Sequence, residues 1–311
     1  MELISPTPPQ AELISRVFHL TPEDPIPMLT PIEGGITNES FRFQCRGEDC
    51  ILREPGEDSG EYICRAHEAA VYREIRDLDI SDELLAIEPD TGRKISRFWE
   101  GARIADPHDP EDVRRCIEML RRLHSLRIAV PFRHVLYRLN AFYRQEMAGI
   151  PSSYPDHGEV QRRCLAMEPI LNRYLGQGVL CHCDTVGANF LFFPREGREE
   201  LRIIDWEYAS ASDPAMDVGM FANDGYYTQE ETDALIRLYL GKEPTPDFTL
   251  RVYGYLAYTG LTYSNWEETV RAAGGDLGDY GPKQYENARI YSRLFWELLP
   301  RVEAEEKHGT H

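Results

Sequence analysis

The stretch 180–209, LCHCDTVGANFLFFPREGREELRIIDWEYA, constrains this chain more than any other. It carries a carboxylate, Asp184, a side-chain amide five residues on, Asn189, and a second carboxylate, Asp205, at the end of the apolar run 201–204. Short strands are predicted over 179–182, 190–193 and 201–205, with a charged turn at 195–200 between the last two. Singly, Asp and Asn in a loop are turn formers and helix caps. Together, a buried strand ending in an acid and a loop bearing another acid and an Asn supply hard oxygen ligands for Mg²⁺ and a base for a hydroxyl nucleophile, the needs of phosphoryl transfer.

The 311 residues can bury a sizeable core and suggest two domains or one large one. The N-terminus has no basic segment followed by an apolar core, and no run reaches membrane-spanning length, so a cytoplasmic protein without stable membrane association is expected. Seven cysteines make an odd count with no closely spaced framework, which favours reduced thiols. Cys181 and Cys183 bracket His182, but no second pair stands at zinc-finger spacing, so buried thiols are expected there. The formal charge of -19 excludes a nucleic acid or an anionic membrane surface as the natural partner and suits a cationic substrate.

In chain order, a short helix is predicted over 11–20, then prolines to residue 31. A hairpin with strands at 40–44 and 50–53 follows the glycine loop at Gly34 and Gly35, where backbone N–H groups can approach phosphate oxygens. An amphipathic helix is predicted over 61–78, strands over 83–88 and 94–98, and a glycine-rich turn at Gly101. Helices follow over 111–126, 139–147 and 159–175, then from Pro214 with Asp213 as N-cap, and over 230–240, 248–273 and 281–299. His124, at a helix end, reads as a cap or packing residue. The tail 303–311 reads as disordered surface.

H-x-D-x-x-x-x-N followed by I-I-D-W-E resembles the aminoglycoside phosphotransferase and choline kinase superfamily, relatives of the protein kinases. G-G-I-T-N, I-D-W-E-Y-A and D-Y-G-P-K-Q-Y-E-N-A-R are similar to the choline and ethanolamine kinase branch of bacterial type. The resemblance, over about 32–295, implies an α+β, two-lobed protein kinase-like fold: an antiparallel sheet plus helix as nucleotide-binding lobe over 1–100, and a larger, mainly helical catalytic and substrate lobe over 101–311. It implies ATP and Mg²⁺, with Asp184, Asn189 and Asp205 catalytic and Asn189 and Asp205 holding the metal. Gly35, Thr37, Asn38, Arg53, Glu68, Phe98 and Glu100 would contact the nucleotide, Arg53 standing where protein kinases have Lys and pairing with Glu68 in preference to Glu74. Backbone groups of 97–100 would meet adenine. Asp217 would brace the catalytic loop. Gly187 stands where the family often has Pro, and Tyr263 where a second Trp is frequent.

The resemblance further implies a small amino alcohol as substrate, choline ahead of ethanolamine, meeting Asp184, Glu207, Tyr263, Trp266 and Tyr285. Tyr263 and Trp266, three apart on a predicted helix, turn to one side, and ring faces are what recognise a quaternary ammonium. Helical aromatics also commonly pack a core. Two rivals stay open: a kinase of the same superfamily for an aminoglycoside or sugar, and a nucleotide-binding pseudokinase. Oligomeric state leaves no signature in the sequence.

Overall fold

The computed structural model describes residues 3–32, 38–56, 63–130 and 136–308. The chain divides into two compact units, Met1–Ile104 with Phe190–Glu207, and Ala105–Asn189 with Tyr208–His311. A single cut near Gly101 therefore omits the later hairpin, which returns to the first unit.

The first unit is built on a five-stranded antiparallel sheet in the order β1-β2-β3-β5-β4. Its strands are β1 (Thr30–Ile32), β2 (Asn38–Cys45), β3 (Glu48–Pro55), β4 (Leu84–Ile87) and β5 (Lys94–Arg97). Alternation on β2 sends Phe41, Phe43 and Cys45 to one face, where they pack with Cys50 and Leu52 of β3 and with Leu13, Ile14 and Phe18 of α1 (Pro8–Phe18). Arg53 of β3 and Lys94 of β5 are register partners. Helix α2 (Arg65–Ile75) supplies Glu68, which reaches both of these side chains. Helix α2 is shorter than predicted, starting four residues later.

Strand β6 (Arg103–Ile104) pairs with β8 (Phe190–Arg195), which pairs with β9 (Arg198–Ile203). The charged turn predicted at 195–200 is present and tight: Glu196 and Gly197 take φ of 50° and 77°, positive at both central residues as a type I′ hairpin turn requires. The hairpin joins the unit through a hydrogen bond from Ile203 N–H to Ile80 O, 2.9 Å.

The second unit is helical. Helices α3 (Pro110–Ser125), α4 (Leu136–Glu146), α7 (Pro214–Asp224), α8 (Gln229–Leu240), α9 (Pro246–Ala272) and α10 (Tyr280–His308) carry it, with α9 packed against α4, α7 and α10. Asp213 caps α7 by accepting from Ala215 N–H, as the sequence predicts. The single helix expected over 159–175 is three pieces, α5 (His157–Leu165), α6 (Glu168–Leu171) and a 3-10 turn (Asn172–Gln177). Pro169 cannot donate the hydrogen bond that would continue α5. The tail expected to be disordered is helical to His308: α10 continues through Pro300, and Val302 is buried. Strands β7 (Val179–Cys181) and β10 (Ser210–Ser212) pair antiparallel, the second unforeseen. Among the described residues no helix is long and apolar enough to cross a membrane.

Candidate active site

In the second unit, β7 ends at Cys181, and the chain reaches Asp184 through Cys183, whose φ of 63° is unusual for a residue with a Cβ. Helix α7 enforces that conformation. The Asp217 carboxylate accepts from His182 N–H at 2.9 Å and Cys183 N–H at 2.8 Å, while Thr185 Oγ1 donates to the Asp217 carbonyl at 2.6 Å. His124 sits 2.9 Å from Asp217 through Nε2 and 2.9 Å from the Tyr239 hydroxyl through Nδ1, so it braces the acid from α3.

Asn189 Nδ2 donates to the Asp184 carbonyl at 2.8 Å and to its Oδ2 at 2.9 Å. This orients both groups at once, fixing the carboxylate and turning the amide oxygen of Asn189 the other way. The Tyr263 hydroxyl lies 3.4 Å from Asp184 Oδ1. Burial, and next the charge of Asp184, hold the Tyr263 phenol well above its usual range, so it stays a donor.

Trp266 meets Tyr263 edge-on at 6.4 Å and Tyr280 edge-on at 5.6 Å. Burial, with Tyr226 and Asp184 behind it, also raises the Tyr280 phenol. The third aromatic of this cluster is therefore Tyr280, not Tyr285. Tyr285 donates to Asp156 Oδ1 at 2.7 Å and stacks on Tyr154 at 3.8 Å. The two tyrosines are five residues apart on α10, about 140° around the axis.

In the first unit, Arg53 is buried and works as a fork: Nη2 donates to Glu68 Oε2 at 2.7 Å and Nη1 to Asp205 Oδ1 at 2.7 Å. Burial opposes its charge, yet Glu68, Asp205 and Glu207 hold the guanidinium above its usual range. Glu74, the competing acid, is exposed. Asp205 lies two residues beyond β9, not at its end, with φ of 65°. That conformation is tolerable for Asp and aims its carboxylate at Arg53.

Glu207, expected against the substrate, is buried, with its Oε2 2.7 Å from Arg65 Nη1, 3.6 Å from Arg53 Nη1 and 3.2 Å from Asn38 Nδ2. Burial first and the Asp205 charge second push its carboxyl up to about 7, against the two arginines. Arg65 was missed in the sequence. Its signal was its place three residues before Glu68, on the same helix face. Gly92 makes room for it: a Cβ there would fall 2.3 Å from Arg65 Cδ, and the Gly92 carbonyl accepts from Arg53 Nη2 at 3.0 Å. Lys94, also missed, is buried beside Tyr72 and lies 3.6 Å from Asp82.

The other nucleotide expectations fare unevenly. Gly35 and Thr37, with Gly34, lie outside the described residues. Phe98 N–H donates to Asp49 O and Arg97 N–H to Glu83 O, so these two donors are committed within the unit and are withdrawn from any adenine contact. The Phe98 ring lies under the Arg42 guanidinium at 3.9 Å, and Arg42 also pairs with the exposed Glu100 at 2.6 Å.

Cys181 groups with His124 and Asp217, all buried. Burial and Asp217 hold its thiol well above the usual range, and both Asp217 oxygens already accept hydrogen bonds. A thiol in that state is a packing residue, as the sequence predicts.

A family model described as the phosphotransferase enzyme family matches residues 29–251. Protein LicA of Haemophilus influenzae is 22% identical over 297 residues, 88% of this chain and 82% of LicA. A choline/ethanolamine kinase family protein from Mesorhizobium loti superposes with a TM-score of 0.72 at 27% identity, covering 94% of this chain and 98% of that one. LicA in complex with AMP superposes with a TM-score of 0.74 at 22% identity, covering 92% and 97%. With the kinase-like fold in place and the family model spanning most of its length, this chain belongs to the phosphotransferase enzyme family.

Proposed function

We propose that the protein is an ATP-dependent kinase that phosphorylates the hydroxyl of a small amino alcohol, choline ahead of ethanolamine. The observation that carries this reading is the Asp184 carboxylate, oriented by Asn189 and adjoining Tyr263, with Trp266 and Tyr280 extending the aromatic group. A quaternary ammonium has no N–H to donate, so ring faces and a carboxylate are what can hold it, each good cation–π contact contributing about 0.5 to 2 kcal/mol. The likeness to a choline/ethanolamine kinase family protein and to LicA bound to AMP supports an amino alcohol as acceptor and a nucleotide as donor.

In this reading the alcohol oxygen forms the new P–O bond as the bond from the γ-phosphorus to the ADP oxygen breaks, and the hydroxyl proton goes to Asp184. Asn189 holds the base in line. Arg53, oriented by Glu68, meets negative charge on the nucleotide phosphates, and Arg65 keeps Glu207 paired beneath it.

Asn189 and Asp205 each present an oxygen of the kind that Mg²⁺ takes. The Asn189 amide nitrogen is spent on Asp184, which leaves its oxygen as the ligand atom, and the Asp205 side chain is 28% exposed. When bound, Mg²⁺ supplies charge neutralisation on the phosphate oxygens. The test is ADP release with choline, ethanolamine, aminoglycosides and sugars, for wild type and folded Trp266→Leu. Loss of one or two ring contacts should lower choline kcat/KM about 10-fold or more. An unchanged value, or a wild type preferring aminoglycosides, overturns the choline assignment.

A further inference from the structure

Helix α7 carries two acids, Asp217 and Asp224. Their spacing falls within about 20° of two full turns, so both side chains leave one face of the helix. Asp217 takes the N–H groups of His182 and Cys183. Asp224 takes the next tie along the same segment: its Oδ2 accepts from Gly187 N–H at 2.7 Å. Between and beyond these ties the segment closes on itself, with Asn189 N–H donating to Val186 O at 2.9 Å and Asn189 Nδ2 to Asp184. One helix face therefore grips the loop on both sides of Asp184.

Gly187 is shaped for this contact. Its carbonyl accepts from Ala105 N–H at 3.3 Å, and a Cβ would fall 2.9 Å from the Ala105 carbonyl oxygen. A Pro at this position would have no N–H to donate. Here the glycine keeps its N–H, and a half-buried carboxylate accepts it. Burial raises the Asp224 carboxyl, and the Gly187 hydrogen bond opposes that rise.

We propose that Asp224 is a positioning residue, which sets the loop carrying Asp184 and Asn189 through the Gly187 N–H. The inference rests on Asp184 and Asn189 acting in phosphoryl transfer. A carboxylate displaced by about 1 Å from its reacting partner can cost about 10²-fold in rate.

The experiment compares wild type, Asp224→Ala and Asp224→Asn by steady-state kinetics on the best alcohol acceptor and by hydrogen exchange of the amides in 184–189. Asp224→Ala should lower kcat about 10- to 100-fold with the ATP KM unchanged, and should speed exchange at Gly187. Asp224→Asn retains an accepting oxygen and should recover most of the rate and the protection. Wild-type kcat in Asp224→Ala, or equal losses in both variants with unchanged exchange over 184–189, overturns the proposal. If Asp224→Ala does not fold, the wild type still decides: a Gly187 amide that exchanges as fast as an unprotected one contradicts the hydrogen bond. Exchange is read without turnover, so a wild type inactive on every alcohol would count against the phosphotransfer reading of Asp184 and leave this arm intact.

Discussion

Arg53 Nη2 stands 2.7 Å from Glu68 Oε2, with the two side chains 5% and 0% exposed. A buried pair of this kind contributes little over an apolar pair of the same shape, but removing one member leaves an uncompensated charge.

Glu68→Ala is therefore expected to destabilise the fold by about 3 to 5 kcal/mol, read from the denaturant midpoint. It should also raise the ATP KM more than the alcohol KM, because Arg53 then swings fully to Asp205. A variant with wild-type stability would show that Arg53 finds a new partner at no cost.

Much of the proposed site could be named from the sequence because the residues proposed for it are contiguous. Asp184, Asn189 and Asp205 fall within one stretch, and Arg53 and Glu68 follow from a strand Arg and a helix acid on the apolar face of α2. Residues whose roles depend on distant partners could not be. Arg65 acts through Gly92 and Glu207, and nothing local marks the glycine as the gap its side chain fills. Tyr285 and Tyr280 were separable only by the rotational phase of α10, which follows from how that helix packs on α9. Asp205 was placed at a strand end, but the left-handed turn that aims it leaves no composition signal for an Asp.

Gly92→Ala tests the room made for Arg65. With φ of 76° and a Cβ falling 2.3 Å from Arg65 Cδ, alanine is strained in backbone and side chain together. A loss of more than about 1 kcal/mol is expected, along with a raised ATP KM as Arg53 loses the Gly92 carbonyl. Thermal unfolding and ATP titration check the two effects, and a silent substitution would show that Arg65 relaxes freely.

Tyr280→Leu and Tyr285→Phe should separate the two tyrosines. The first removes a ring beside Trp266 and is expected to lower choline kcat/KM about 10-fold. The second removes only the hydroxyl bond to Asp156, expected to cost about 1 kcal/mol of stability with little change in kinetics. The opposite pattern would return Tyr285 to the substrate site.

Of the seven cysteines, Cys64 alone is not fully buried. Burial pushes the Cys50 and Cys164 thiols up to about 12 and raises Cys45, Cys181 and Cys183 as well, so these groups stay protonated thiols at pH 8. A thiolate-selective reagent at pH 8 should modify Cys64 in the native protein and all seven after denaturation. Rapid native labelling at Cys181 or Cys183 would contradict the packing around the catalytic loop.

Phosphoryl transfer from ATP to a small amino alcohol, with Asp184 as the base, is tested most directly by phosphorus NMR of a reaction containing the protein, MgATP and choline. The wild type should convert ATP to ADP with an equal amount of a choline phosphate monoester, and Asp184→Asn should form it about 10²- to 10⁴-fold more slowly. ADP accumulating without the ester, ester formed at the wild-type rate by Asp184→Asn, or phosphorylation of an aminoglycoside in preference to choline would contradict the account.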